Sequence, residues 1–234
     1  MLNPNIDIDA LASEYAQDDR VRVADILQAE FADRLHIACR DDVPYEYICH
    51  IGGKNVVIPE DDLRAMSPAD QAGLQASLVE QASKGVGFFY SGYQMRRAKD
   101  GSDNAGIGFL NSMFDFVNSD EVLSLVSAIC GRNDLHSADA HFTRYTSGQY
   151  LTRHKDDIAV EGRRIAYVLS VTRDWHPDWG GLLHFYEDDG RPRDFWVPVF
   201  NTLNLFDVRH VHSVSYVTPF AKGQRLSLTG WFCS

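Results

Sequence analysis

The stretch Arg225-Leu226-Ser227-Leu228-Thr229-Gly230-Trp231-Phe232 is the last of a series of short β-type runs in the C-terminal part of the chain. From about Leu135 onward, roughly seven or eight such runs alternate with turn residues, a pattern typical of sandwiches and jelly-roll barrels. The earlier runs are His141–Tyr145, Arg164–Thr172, Leu182–Tyr186, Phe195–Pro198, Thr202–Asp207 and Val211–Val217. We therefore expect a mainly β fold, a jelly-roll barrel over residues 135–234 packed against N-terminal helices.

Residues 1–134 are expected to elaborate this barrel within a single domain over residues 1–234. Helical apolar spacing, capping residues and glycines at helix ends predict most of the elements there. We expect helices over about 20–36, from Ser67-Pro68 to Gly85, over Phe109–Val117 and from Ser119 to Gly131, a hairpin of Tyr45–Cys49 with Asn55–Ile58, and a strand over Val86–Tyr90. The polar segment Arg96–Asn104 is expected to be a mobile loop.

Composition narrows the class of protein. The chain has 234 residues, 44% of them hydrophobic, and a net charge of -11, which disfavours direct binding to nucleic-acid phosphates. No run approaches the roughly 18 apolar residues of a membrane-spanning helix, and residues 1–10 lack a signal-peptide layout. The four cysteines have no paired spacing of the kind that binds zinc. We expect a cytoplasmic protein without membrane contact.

The motif His154-Lys155-Asp156 ends a β-like run that begins at Tyr150. Residues two apart at a strand end point to the same side, so an imidazole and a carboxylate can meet one metal ion. A histidine from a distant strand would complete the two-histidine, one-carboxylate face of iron(II) sites, which leaves positions open for a bidentate cosubstrate and oxygen. His210 and His212 both qualify, because they lie two apart on an expected strand.

The residues that follow favour His212 over His210. A dicarboxylate cosubstrate needs a fixed cation, and Arg225 offers a rigid bidentate fork, with the Ser227 hydroxyl on the same strand face. His210 would lie further from this anchor. A second His-x-Asp motif, His176-Pro177-Asp178, is expected not to bind metal, because Pro177 breaks the strand geometry.

The region from Tyr145 to Phe232 resembles the catalytic barrel of prolyl-hydroxylase-type 2-oxoglutarate oxygenases. It most closely resembles the branch that hydroxylates a proline of a small-subunit ribosomal protein in eukaryotes. The motifs that carry this resemblance, in the order expected for the family, are Tyr145–Leu151 leading into His154–Asp156, Glu161–Ala166, Gly180–Leu183 and Arg225–Phe232.

The resemblance implies a double-stranded β-helix of the cupin-like type that uses Fe(II), 2-oxoglutarate and O2, with ascorbate as a reductant. It assigns the metal to His154, Asp156 and His212, and the 2-oxoglutarate to Arg225, Ser227 and Tyr145. The sequence departs from the relatives at Ser170, where they commonly have a second cosubstrate-binding tyrosine. The connection from Asp156 to Glu161 is also longer than in relatives.

Three functions from different classes are compatible with these residues. The resemblance favours prolyl hydroxylation of a protein or peptide, with a ribosomal or translational protein as one such substrate. The second is the same chemistry on a small molecule, such as a free amino acid or a peptide metabolite. The third is a barrel that binds metal or ligand without catalysis, which the joint presence of His154, Asp156, His212 and Arg225 disfavours. Turnover of 2-oxoglutarate separates the third function from the other two.

Overall fold

The computed structural model of the protein describes residues 1–95 and 108–234. The helices in these residues are Ile8–Asp18 (α1), Ala29–Asp41 (α2), Glu60–Ala65 (α3), Pro68–Ser83 (α4), Gly108–Val117 (α5) and Asp120–Cys130 (α6). The strands are Arg20–Ala24 (β1), Glu46–Ile51 (β2), Lys54–Pro59 (β3), Phe88–Gln94 (β4), Ser137–Ala138 (β5), His141–Tyr145 (β6), Tyr150–His154 (β7), Arg163–Ser170 (β8), Leu183–Tyr186 (β9), Pro192–Trp196 (β10), Thr202–Asp207 (β11), Val211–Val214 (β12) and Arg225–Cys233 (β13). The loop expected over Arg96–Asn104 lies outside the described residues.

The strands form one curled antiparallel sheet. Its hydrogen-bonded path runs β1-β11-β8-β13-β6-β4-β7-β12-β9-β10. Strand β4 bends along its length: Ser91–Gln94 pair with β6, whereas Phe88 and Phe89 pair with β7. This change of partner carries the sheet from one wall of the barrel to the other. The expected mainly β architecture with flanking helices is confirmed.

Strand β13 shows how the sequence separates the core from the barrel interior. Because side chains alternate along a strand, Leu226, Leu228 and Phe232 share one face and Arg225 and Thr229 share the other. The three apolar side chains are almost completely buried in the core cluster that also contains residues of α2, α5 and α6. Arg225 and Thr229 line a cavity inside the barrel. One face of β13 therefore packs in the hydrophobic core, and the other face contributes side chains to the cavity.

The prediction of a helix over residues 20–36 is wrong for the first residues of that range. Residues 20–24 form β1, which pairs with β11, and the helix α2 begins only at Ala29. Val21 and Val23 alternate with half-exposed arginines and are buried at 0% and 1% exposure. This period of two is that of a strand, and pairing with β11 outweighs the local helical spacing. The helices α1 and α3 were not expected.

The other N-terminal elements follow their local signals. The Ser67 side chain accepts a hydrogen bond from the Asp70 amide at the start of α4, and Ser119 does the same for Val122 at the start of α6. Gly131 ends α6 in the left-handed conformation. The expected hairpin is β2 with β3. Within the described residues, none of the helices is long and apolar enough to cross a lipid bilayer.

Candidate metal and cosubstrate site

The structure brings His154, Asp156 and His212 together at one point of the barrel. His154 is the last residue of β7, Asp156 follows it in irregular backbone, and His212 lies on the neighbouring strand β12, opposite His154 in the register. Each residue offers one ligand atom, and the three atoms lie within 4.8 Å of one another. Among the described residues, they are the only group of three or more such side chains that could hold a metal ion.

Both histidines are oriented by main-chain carbonyl groups. Nδ1 of His154 lies 2.9 Å from the Thr152 carbonyl oxygen, and Nδ1 of His212 lies 3.0 Å from the His210 carbonyl oxygen. A carbonyl can only accept, so Nδ1 carries a proton in each ring and Nε2 is the atom left to bind a metal. Each Nε2 lies 3.4 Å from a different oxygen of Asp156. Three electron-pair donors therefore converge, as a metal site requires.

The charges of the three residues suit a cation. Burial disfavours the charged form of Asp156, but His154 and His212 outweigh burial and hold the pKa of its carboxyl below the ordinary value. Burial lowers the pKa of His212 to about 4, so this imidazole is neutral at physiological pH. Burial also opposes a second proton on His154, the one on Nε2. The contact with Asp156 outweighs burial and raises the pKa of the His154 imidazole. A cation bound at this point would take the place of that proton. Two imidazoles and one carboxylate fit iron(II).

The two sequence alternatives to these ligands lie elsewhere. The Nε2 atom of His210 is 2.9 Å from the Asp18 carbonyl oxygen, at the end of α1. His176 is largely exposed, and its Nδ1 accepts a hydrogen bond from the Asp178 amide in a short 3-10 turn. Neither side chain lines the cavity that contains the three converging residues.

Arg225 is a buried cation at the same cavity. It is 4% exposed, its Nε atom has no hydrogen-bond partner in the described part of the chain, and no acidic side chain there forms an ion pair with it. Burial lowers the pKa of its guanidinium. Its guanidinium carbon lies 5.0 Å from the ring centroid of Tyr145, its register partner on β6. An unpaired buried charge is costly, and a ligand carboxylate would compensate it. The residues present therefore fit a dicarboxylate.

A glycine pair, Gly180-Gly181, lies beside Arg225. Gly181 has a positive φ of 63°, and a Cβ atom there would lie 3.0 Å from the Trp175 ring and 3.4 Å from Cδ of Arg225. The backbone of Gly180 also accepts the hydrogen bond of the Trp175 indole. A Cβ atom at Gly181 would press on Trp175 and on Val217, which lies 3.2 Å away, and would touch Arg225, so a side chain larger than hydrogen does not fit there without a shift of these neighbours.

One cavity of about 580 Å³ joins these groups. It is lined by His154, Asp156 and His212 and by Tyr145 and Arg225. Ser227 is not part of its lining: this serine is buried opposite Thr143 and Ser170 in the register. The residue assignments made from the sequence stay predictions, and the geometry favours Tyr145 and Arg225 more than Ser227.

The residues of the cavity wall that sequence reasoning missed include Tyr90 on β4 and Thr143 on β6. Tyr90 stacks on Tyr145, with ring centroids 5.3 Å apart and planes inclined by 21°. The strand containing Tyr90 was expected, and its alternation places Phe88 and Tyr90 on one face. What the sequence lacked was the position of β4 between β6 and β7.

Comparisons with known proteins agree with this geometry. Residues 140–233 match the sequence model of the 2OG-Fe(II) oxygenase superfamily. The prolyl 3-hydroxylase OGFOD1 of Mus musculus is 36% identical over 118 residues, which cover 47% of this chain and 20% of that protein. The chain thus spans about a fifth of the length of the curated relatives it matches.

Two solved structures share the fold across nearly the whole chain. A Pseudomonas putida prolyl-4-hydroxylase is 21% identical with a TM-score of 0.59, covering 97% of this chain and 98% of that chain. A Trichoplax adhaerens prolyl hydroxylase, solved with a hypoxia inducible factor peptide fragment, is 16% identical with a TM-score of 0.59, covering 97% and 88%. At these identities the likeness establishes the fold. Residues 140–233 are therefore similar to the 2OG-Fe(II) oxygenase superfamily in sequence, and the chain is similar to prolyl hydroxylases in fold.

Proposed function

We propose that the protein is an Fe(II)- and 2-oxoglutarate-dependent dioxygenase that hydroxylates proline in a protein or peptide. The observation that carries this proposal is that one cavity holds both a three-ligand metal face and a buried arginine with no acidic partner among residues 1–95 and 108–234. A metal-binding barrel without this chemistry has no need of the arginine.

Each group of residues has its own task in this proposal. His154, Asp156 and His212 hold the iron on one wall, and Arg225 binds the far carboxylate of 2-oxoglutarate through a charge-assisted contact. Tyr145, flat beside the guanidinium, limits the positions open to that carboxylate. When bound, iron(II) with 2-oxoglutarate and O2 supplies the oxidation of a substrate C–H bond to an alcohol, with succinate and carbon dioxide as coproducts.

Three ligands from the protein leave room on the metal for cosubstrate and oxygen. The two imidazoles are held by main-chain carbonyl groups, so the face is organised before the metal binds. The burial of Asp156 and His212 keeps bulk water from two of the three ligands.

A peptide substrate is supported by the cavity mouth and by the relatives. Val86 and Ile158 belong to the cavity wall and are 60% and 40% exposed, and the neighbouring Val160 is 94% exposed. Such an apolar rim suits the side chains that flank a proline better than it suits a free polar metabolite. The mouse relative is a prolyl 3-hydroxylase, and the Trichoplax neighbour was solved with a peptide.

The setting of the reaction belongs to the same proposal. We place it in the cytoplasm, where the four cysteines, all free, would stay reduced. Ascorbate is the proposed reductant that keeps the iron ferrous. A ribosomal or translational protein is the proposed substrate, because the region from Tyr145 to Phe232 resembles the branch that hydroxylates a ribosomal protein.

The test is turnover of 2-oxoglutarate by the purified chain with Fe(II), measured as succinate release. We expect slow release without substrate and faster release with proline-containing peptides, together with a +16 Da product in mass spectrometry. Stimulation by free amino acids but by none of the peptides would favour the small-molecule function. An absence of turnover in the presence of bound metal would contradict the proposal.

A further inference from the structure

Tyr90 is placed by the sheet in the same row as Tyr145 and Arg225. Strand β4 pairs with β6 at Ser91 and Arg144, and the next step of this antiparallel register puts Tyr90 level with Tyr145. Tyr145 is in turn the register partner of Arg225. The three side chains therefore cross the cavity wall side by side, with Tyr145 in the middle.

The hydroxyl groups of both tyrosines are free to bind a ligand. Tyr90 and Tyr145 line the cavity, and neither hydroxyl forms a hydrogen bond with another side chain or backbone group of the described residues. Other buried tyrosines in the chain do have partners: the hydroxyl of Tyr45 donates to the Cys39 carbonyl, and that of Tyr167 donates to the Asp139 carbonyl. Because both side chains line the cavity, their hydroxyl groups can donate to a molecule bound there.

Tyr90 is a hydrogen-bond donor at physiological pH. Burial raises the pKa of its phenol to about 12, and the negative charge of Asp156 adds to the shift. The phenol therefore keeps its proton and faces a region that holds a carboxylate-binding arginine. A protonated phenol is suited to donate to a ligand carboxylate.

In the part of the chain that the structure describes, the short side chains of Ser170 and Ser227, on the opposite side of Arg225, do not supply such a donor to the cavity. Ser170, where relatives commonly have a tyrosine, is 2% exposed and pairs with Ser227 and Thr202. Neither Ser170 nor Ser227 is part of the cavity lining. The short side chains of Ser170 and Ser227 therefore do not reach the cavity, whereas Tyr90 lines it from β4.

We infer that Tyr90 binds 2-oxoglutarate through its hydroxyl and so supplies, from the other side of Arg225, the contact that Ser170 cannot make. This inference rests on the proposed function. Among the cavity residues, Tyr90 is the one whose aromatic ring and free hydroxyl lie in the row of Arg225 without belonging to the motifs that define the family resemblance.

The experiment measures 2-oxoglutarate binding to the full chain by calorimetry, with Mn(II) in place of iron so that no turnover occurs. We expect Tyr90→Phe to raise the Kd for 2-oxoglutarate roughly tenfold, as for loss of one hydrogen bond to a charged group. The affinity for Mn(II) alone should be unchanged. Tyr93→Phe is the matched control, because Tyr93 lies on the same strand but does not line the cavity, and it should bind as the wild type does.

Arg225→Ala separates this inference from the proposed function. If the wild type binds 2-oxoglutarate, Arg225→Ala does not, and Tyr90→Phe binds within twofold of wild type, the inference is overturned and the proposed function stands. If the wild type itself fails to bind, the proposed function is overturned. A normal Kd combined with loss of peptide stimulation would place Tyr90 against the substrate and would also overturn the inference.

A second measurement leaves the hydroxyl in place, in case Tyr90→Phe does not fold. 3-Fluorotyrosine at position 90, with Zn(II) as a diamagnetic metal, should show a shifted fluorine resonance when 2-oxoglutarate is added. The same label at position 93 should not shift. An unmoved resonance at position 90 under saturating 2-oxoglutarate would count against the contact.

Discussion

His154 and His212 are register partners on the neighbouring strands β7 and β12, and their ring centroids lie 4.2 Å apart. Main-chain pairing of two strands thus fixes the spacing of two proposed ligands. The register shifts between His212 and Val214, a bulge of the kind found beside active sites. Asp156 joins the pair from the irregular backbone after β7, so the carboxylate can be removed without breaking the sheet.

We expect His154→Ala, Asp156→Ala and His212→Ala each to reduce succinate release to background while the circular dichroism spectrum stays that of the folded protein. Loss of one ligand from a three-ligand face weakens metal retention, which a chelator competition assay would measure. His210→Ala is the control and should keep its activity. An inactive His210 variant together with an active His212 variant would reverse the assignment.

Arg225→Gln should raise the 2-oxoglutarate concentration needed for half-maximal turnover. A charge-assisted contact contributes about 1.5–3 kcal/mol, or roughly tenfold to over a hundredfold in affinity. Arg173→Gln is the matched control, because Arg173 is half-exposed and pairs with Asp33. An unchanged requirement in Arg225→Gln would show that another cation is the anchor.

Replacing Arg225 should have an unusual effect on the thermal stability of the ligand-free protein. Arg225 has no acidic partner among the described residues, so Arg225→Met should unfold at the wild-type temperature or above it when no ligand is present. It should also lose the rise in Tm that 2-oxoglutarate gives the wild type. Arg20→Met should instead lower the Tm, because Arg20 pairs with Asp18 and Asp194. A large loss of stability in Arg225→Met would mean that the guanidinium has a structural role.

Asp18 should account for part of the loss of folding stability at low pH. Burial opposes its charge, but hydrogen bonds from Arg193 and Arg20 outweigh burial and hold the pKa of its carboxyl below the ordinary value. Such a group contributes stability above its unfolded-state pKa, and this contribution is lost as the pH falls through the folded-state pKa. The free energy of unfolding should therefore fall from about pH 4 downward, and fall less in Asp18→Asn. Asp178→Asn, at an exposed carboxylate, should keep the wild-type profile.

Local signals predicted the elements whose ends are set by their own residues. The helix capped by Ser119 and ended by Gly131, and the β2–β3 hairpin around Gly52-Gly53, needed no distant contact to be identified. The runs that form the barrel were also identifiable, because short alternating strands with turns between them keep their pattern in the sequence.

Contacts between distant residues decided the rest. The pairing of β1 with β11 joins residues such as Val21 and Leu205, which are far apart in the chain. The sequence around β1 does not indicate which strand it pairs with. The sequence offered both His210 and His212, which lie on one stretch of chain, and favoured His212 only through its distance from Arg225. The fold separates them, since the ring of His210 contacts Asp18 across 192 residues. Tyr90 was missed for the same reason: its importance depends on which strands lie beside β4.

The place of β4 has a consequence for how this fold can be cut and recombined. The segment that matches the superfamily begins at residue 140, yet the strand between its β6 and β7 comes from residues 88–94. A fragment starting at residue 135 would keep His154, Asp156, His212 and Arg225 but expose the unpaired edges of β6 and β7. Open strand edges pair with other chains, so such a fragment would self-associate unless β4 were added as a separate peptide. The unit that can be exchanged between proteins of this kind is therefore larger than the segment that identifies them.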